Sequence, residues 1–386
     1  MTKLRFGMIG GGEGSFIAGI HRMGAELDGM GELAAGCFSR STEKSLEYGR
    51  GAGLDEKRIY ATYEEMALRE GARPDPIDFV IVAAPNHVHY DCCRAFLENG
   101  IHVVCDKPLT NELGQARKLK ALAEKKDLLF AVTYVYSAMP AAWFMRDQIT
   151  AGKIGEILRV KGEYLSDNLL ASNEELDRGM LWRIDPAKAG KSTCCADIGV
   201  HCQQLISYVT GLSIRELSAD RTVIGEGRRL DTDFTANLRF DGGAKGHMWC
   251  SNVAAGKYND LNIAVYGTKG SMAWSLEDPD FVTMSGEAGQ TIRCRVGKNS
   301  GSSEGAPYRL PAGQSEGWVL AFANIYRDFM KSLIRKKAGQ PLQKNYPGID
   351  DGIAGVAFVE ACVKSWQAGG RWTALSTGER EGNKER

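Results

Sequence analysis

The chain of 386 residues has no excess charge of either sign, since Lys and Arg number 48 and Asp and Glu also number 48. A global attraction to nucleic acid or to an anionic membrane surface therefore has no source in the composition, and neither partner is expected. Long apolar runs are also lacking: none reaches the ~18 residues that a membrane-spanning helix needs. The opening Met1-Thr2-Lys3-Leu4-Arg5 leads straight into a strand pattern with no secretory apolar core, so a cytoplasmic protein is expected. The ten cysteines include no Cys-x-x-Cys spacing. Cys92-Cys93 and Cys194-Cys195 are adjacent pairs, poorly placed to share one metal ion, and reduced, mostly buried thiols are the simplest expectation. The basic cluster at 331–337 reads as the solvated end of a helix, where the dipole favours cations.

What is present is globular, with 43% hydrophobic and 25% charged residues. At this length a single core usually stops growing, so two domains are expected. In the first, residues 1–135, apolar strand patterns at 4–9, 33–38, 77–84, 101–105 and 128–134 alternate with helical patterns at 63–70, 90–99 and 112–126. That rhythm predicts an α/β domain with a doubly wound parallel sheet. In the second, 136–386, a helix over 141–151 and a turn at 152–155 precede strands that alternate apolar with polar residues at 233–240, 246–251 and 261–266. Asp241-Gly242-Gly243 and Gly267-Thr268-Lys269-Gly270 are turn sequences suited to antiparallel pairing, so an α+β domain with a largely antiparallel open sheet follows. Residues 286–317, rich in Gly and Ser, read as surface loops and a candidate active-site flap. Helices over 317–336 and 348–367 close the chain.

Chemistry is expected where strands end. Strand 4–9 runs into Gly10-Gly11-Gly12-Glu13-Gly14-Ser15 and then a helical pattern from Phe16, the context in which glycines let the backbone approach a pyrophosphate. Ser15 stands where the third glycine of Gly-x-Gly-x-x-Gly would be. A glycine turn without a ligand is the alternative. The second strand ends at Ser39-Arg40-Ser41 with no acid to accept ribose hydroxyls, and Glu32 lies at the wrong end of that strand. Arg or Ser suits the 2′-phosphate of NADP, yet Ser39 can bond a ribose hydroxyl and Arg40 can stack on adenine, so NAD and NADP both stay open. Pro85-Asn86 and Asp106-Lys107-Pro108 mark two further strand ends, the latter stopped by a proline that cannot continue the ladder. Asp197 and His201, four apart, share one helical face if a helix begins near Asp197. A carboxylate and an imidazole so placed can orient and deprotonate a hydroxyl group, unless Asp197 is only an N-cap and His201 a packed helix residue. Zinc held by Cys194, Asp197, His201 and Cys202 has no standard spacing to support it.

Taken in order, the Gly10 to Ser15 turn, Pro85-Asn86, Asp106-Lys107-Pro108 and Asp197-x-Gly-x-His201 resemble the Gfo/Idh/MocA family of sugar and cyclitol oxidoreductases, over nearly the entire chain. The family's Glu-Lys-Pro is Asp-Lys-Pro here. The resemblance implies a Rossmann domain, NAD or NADP, and hydride transfer between nicotinamide and a ring secondary alcohol. It matches Lys107 to the active-site lysine, Asp197 to the substrate-binding acid and His201 to the catalytic histidine. Candidate cofactor contacts are Gly10, Gly12, Gly14, Ser15, Phe16, Ser39, Arg40, Pro85, Asn86, His89, Asp106 and Lys107. Tyr134, Asn168, Trp182 and Arg183 are candidate substrate contacts beside Lys107, Asp197 and His201. A homo-oligomer, dimer or tetramer, is expected. Two other functions fit the same layout: a hydrolase that cleaves a glycosidic bond through transient oxidation by held NAD, and a sugar-sensing regulator without catalysis.

Overall fold

The computed structural model describes residues 3–12, 15–176, 180–286, 288–298 and 308–376. It divides into two compact units, one of residues 1–135 and 318–353, the other of 136–317 and 354–386. Where the sequence reading set one boundary after residue 135, the chain thus returns to the first unit for 318–353.

In the first unit β1 (Leu4–Ile9), α1 (Phe16–Glu26), β2 (Gly31–Cys37), α2 (Thr42–Gly51), α3 (Tyr63–Gly71), β3 (Phe79–Val82), α4 (His89–Glu98), β4 (His102–Cys105), α5 (Leu113–Lys125) and β5 (Phe130–Val132) follow one another. All five strands pair in parallel, in the order β2-β1-β3-β4-β5. Every residue of β3 is buried, which is why its sequence is continuously apolar rather than alternating. The order reverses at β1, with β2 on one side and β3 on the other. The crevice at the carboxyl ends of those strands is where open parallel sheets bind ligands. Helix α2 has no counterpart in the sequence reading, because only Ser45 and Gly49 of its ten residues are buried and it carries almost no apolar stripe.

The second unit holds α6 (Pro140–Thr150), β6 (Ile157–Leu165), the short helices α7 (Leu181–Ile184) and α8 (Pro186–Ala189), α9 (Val200–Thr210), β7 (Ile214–Thr222), β8 (Asp233–Phe240), β9 (Lys245–Ser251), β10 (Asp260–Gly267), β11 (Gly270–Ser275), β12 (Phe281–Gly286) and β13 (Thr291–Arg295). Next come α10 (Trp318–Lys337), which belongs to the first unit, α11 (Ile349–Gln367), within which the division falls, and β14 (Thr373–Ala374). The nine strands lie in the order β13-β12-β11-β10-β6-β9-β8-β7-β14. Every neighbouring pair is antiparallel except β6 with β9. Strand β8 shows the one-sided pattern: Phe234, Ala236, Leu238 and Phe240 are buried while the residues between them point away.

The expected loop at 286–317 is in part a strand. Thr291–Arg295 pairs antiparallel with β12 at the sheet edge. Its side chains are mostly exposed, so the sequence shows no apolar alternation, and the guanidinium groups of Arg293 and Arg295 lie 3.7 and 4.7 Å from the centre of the Phe281 ring instead. Residues 299–307 of that stretch lie outside the described residues.

Candidate active site

In the first unit the turn after β1 is shaped for close backbone approach. Gly10 has φ +84°, and a Cβ there would stand 2.3 Å from the Ala83 carbonyl oxygen; one on Gly12 would stand 2.9 Å from that of Phe38. Backbone bonds fix the turn, with Gly10 N donating to Cys37 O at 2.9 Å and Gly12 N to Phe38 O at 3.0 Å. Ser15 sits at the N-cap of α1 in extended conformation and makes no side-chain capping bond, so α1 begins without the local acceptor that usually satisfies its first N–H groups. Exposed Phe16 stacks on Trp318, ring centres 5.9 Å apart. Gly14 lies outside the described residues. At the end of β2, half-buried Ser39 accepts from Ser41 N at 3.2 Å and Arg40 is exposed. These features fit a dinucleotide whose pyrophosphate meets backbone N–H groups at a helix start.

Strand β4 delivers Asp106 and half-buried Lys107. Asp106 Oδ1 accepts from Lys107 N at 2.9 Å and from Thr133 Oγ1 at 2.7 Å, and His21 Nε2 stands 3.7 Å away. Burial pushes the Asp106 carboxyl up, but His21, Lys107 and Thr133 together outweigh it and hold the group well below the usual carboxylate range. Pro85 is exposed, and buried Asn86 opens a short 3-10 turn that leads into α4. His89, expected as a cofactor contact, is fully buried with Nδ1 2.8 Å from Pro108 O and Nε2 2.7 Å from Ala84 O. Both ring nitrogens are thus engaged by backbone, and the ring braces the end of β3 against the residue after Lys107 rather than presenting itself to a ligand. Tyr134 is likewise fully buried, and burial pushes its hydroxyl far up, so it stands as a neutral core group. The sequence reading missed His21, which also bonds Tyr326 Oη through Nδ1 at 2.5 Å. The available signal was a histidine at an apolar-stripe position of α1 next to Ile20 and Gly24.

In the second unit the helix carrying Asp197 and His201 begins as a π-turn, Cys195–Gly199, and continues as α9. The two residues stand about one turn apart. Half-buried Asp197 takes Arg183 Nε on Oδ2 at 3.3 Å, and the Arg183 guanidinium lies 4.7 Å from the centre of the Trp182 ring. His201, 7% exposed, packs edge-on against Tyr136 with ring centres 4.9 Å apart. Tyr136 shares a 2.6 Å hydrogen bond with Tyr164, whose hydroxyl donates to Asn259 Oδ1 at 2.8 Å. Burial pushes the Tyr164 phenol far up, so that hydroxyl keeps its proton. Asn168 is exposed and accepts from Asn252 Nδ2 at 3.0 Å. Trp182, Arg183 and Asp197 are therefore brought together, His201 stands one turn further along the same helix against Tyr136 and Tyr164, and Asn168 belongs to a separate pair. Cys194 and Cys202 are buried, and among the described residues no group of three or more His, Cys, Asp or Glu side chains is arranged to hold a metal ion.

Residues 4–134 match the family model described as an oxidoreductase family with an NAD-binding Rossmann fold, and residues 143–273 match the Gfo/Idh/MocA C-terminal domain. The chain is 34% identical to the uncharacterised oxidoreductase YfiI of Bacillus subtilis (strain 168) over 388 aligned positions, 96% of each chain. A levoglucosan dehydrogenase from Pseudarthrobacter phenanthrenivorans is 28% identical over 57% of this chain and 60% of its own length. Among solved structures, an inositol dehydrogenase homologue from Azotobacter vinelandii complexed with NAD+ superposes with TM-score 0.93 at 32% identity, covering 97% of both chains. The same homologue complexed with NADH and myo-inositol gives 0.89 at 31%, over 97% of this chain and 98% of that one.

Proposed function

Because the chain belongs to the Gfo/Idh/MocA family and is an NAD(P)-dependent oxidoreductase, we propose that it oxidises a ring secondary alcohol of a cyclitol or sugar to the ketone, or reduces that ketone. The observation that carries this reading is the placement of a buried imidazole, His201, one helical turn from a half-buried carboxylate, Asp197, itself held by Arg183. When bound, the dinucleotide takes the hydride from the carbinol carbon. Gly10 and Gly12 admit its pyrophosphate, and Ser39 with Arg40 meets its ribose end. His201 accepts the hydroxyl proton as a neutral imidazole. Asp197 and Arg183 hold neighbouring hydroxyls by charge-assisted bonds. Lys107 stabilises the negative charge that develops on the substrate oxygen. Relatives that act on levoglucosan and a structural neighbour that holds myo-inositol support a polyhydroxylated ring as substrate class.

The test is a panel of myo-inositol, levoglucosan and D-xylose against NAD+ and NADP+, followed by the absorbance of reduced nicotinamide. One ring polyol should give reduced dinucleotide and ketone in equal amounts. Binding across the panel without turnover, or cleavage of a glycoside with no net reduction, would overturn the proposal.

A further inference from the structure

Asp231 enters none of the roles above, yet it is a fully buried carboxylate, and such a group costs several kcal/mol unless every oxygen is satisfied. It lies just before β8 and bonds a segment more than thirty residues earlier in the chain. Its Oδ1 accepts from Thr193 N at 2.9 Å, and its Oδ2 from Ser192 Oγ at 2.9 Å and Cys195 N at 2.8 Å. Its backbone oxygen accepts from Cys194 N at 3.1 Å. Ser192 Oγ passes the restraint on by accepting from Ala196 N at 3.2 Å. Four consecutive residues at the start of the helix that bears Asp197 and His201 are thereby pinned to one residue, Ser192, Thr193 and Cys195 through its side chain and Cys194 through its backbone oxygen.

A local Ser or Thr cap would end such a helix equally well. Asp231 does more, because it fixes the start against a different strand and reaches the candidate site by two routes. Thr193 O accepts from Asp197 N at 2.8 Å, and Thr193 Oγ1 donates to Arg183 O, the backbone of the residue whose guanidinium pairs with Asp197. Both carboxylate oxygens are used as acceptors, so an asparagine does not reproduce the pattern: its amide would turn its own donors on an N–H.

We propose that Asp231 is a positioning residue that sets where Arg183, Asp197 and His201 stand when the substrate hydroxyl is deprotonated. The proposal rests on the dehydrogenase reading for its consequence in turnover, but not for its geometry.

The experiment uses the full chain and the variants Asp231→Asn, Ser192→Ala and Thr193→Val. The two milder variants keep the proposal testable if Asp231→Asn does not fold. The His201 ring is titrated through its carbon-13 labelled Cε1 proton resonance, assigned with His201→Gln, and NADH binding is read by fluorescence quenching. The His201 midpoint should move by about half a pH unit or more in each folded variant, as the Arg183–Asp197 pair one turn away on the same helix shifts, while NADH affinity stays within about twofold. On whichever of myo-inositol, levoglucosan or D-xylose the parent oxidises, kcat should fall about tenfold with a smaller change in KM. If they bind without turnover, the dehydrogenase reading fails while the imidazole titration still decides the role of Asp231. Unchanged His201 midpoints in the folded variants would overturn the proposal and leave Asp231 as a cap only.

Discussion

Lys107 owes its place to its neighbours: Asp106 below it is held by Thr133, His21 and the Lys107 amide, and Pro108 after it is braced by His89. That rigidity suits a charge preorganised for an oxyanion, and loss of one such donor typically costs about 10² to 10³ in rate. Lys107→Met should therefore lower kcat by about that factor with dinucleotide affinity nearly unchanged; near-parental kcat would remove the lysine from the chemistry. His201→Ala should lower kcat by about 10² to 10⁴ and flatten the rise of oxidation rate with pH, since the group whose neutral form takes the proton is gone. A steady-state pH series with a substrate deuterated at the oxidised carbon checks that the chemical step is being read. Ser39→Asp, at the end of β2, should shift preference toward NAD over NADP by adding ribose acceptors and repelling a 2′-phosphate, which the ratio of kcat/KM for the two dinucleotides reads directly. At this scale the sequence was informative where a residue sits at an abrupt stop, as with Lys107 before Pro108. It was least informative where proximity in sequence stood in for exposure: His89 and Tyr134 lie beside strand ends but face inward.

Among the elements, the β1–α1 turn carries the tightest steric demand. Replacing Gly10 by alanine puts a Cβ at an unfavourable φ of +84° and 2.3 Å from the Ala83 carbonyl oxygen, so backbone must move. Gly10→Ala should destabilise the chain by about 1 to 3 kcal/mol. It should also weaken NADH binding by about tenfold, equivalent to about 1.4 kcal/mol; calorimetric titration of NADH checks it, and unchanged affinity would separate this turn from cofactor binding. Elements with a strong apolar period were legible, as β3 and β8 show. Helix α2 and strand β13 were not, because each buries too little to leave a pattern. The π-turn at Cys195–Gly199 was invisible for another reason. It begins where long-range bonds, those of Asp231 to Thr193 and Cys195 among them, hold the chain, and no local pattern encodes those.

For the whole molecule, a parallel sheet in one unit and a mostly antiparallel sheet in the other follow from two rhythms in the sequence, strand with helix and apolar with polar. The return of 318–353 to the first unit does not, since it depends on which face Phe322 and Tyr326 meet, and that face is His21 of α1. The same long-range burial gives the chain two aspartates with opposite acid behaviour. The carboxyl of Asp106 is held low, so its contribution to stability is complete above the unfolded value of ~3.9 and is lost as pH falls below it. Burial lifts Asp231 to about 6 against the hydrogen bonds from Cys195, Thr193 and Ser192, with the Cys194 and Cys195 thiols as its titratable neighbours. A carboxyl raised on folding binds its proton more tightly in the native state, so it favours folding increasingly as pH falls through the folded value toward the unfolded one. From pH 7 to pH 5, Asp231 should thus add about 1 kcal/mol of stability, a window in which Asp106 changes little. Asp231→Asn cannot take up that proton. Its destabilisation, measured by urea unfolding, should be about 1 kcal/mol larger at pH 5 than at pH 7. An equal loss at both values would mean that Asp231 does not titrate between them, and that its bonds to the start of the Asp197 helix are those of a permanently charged group.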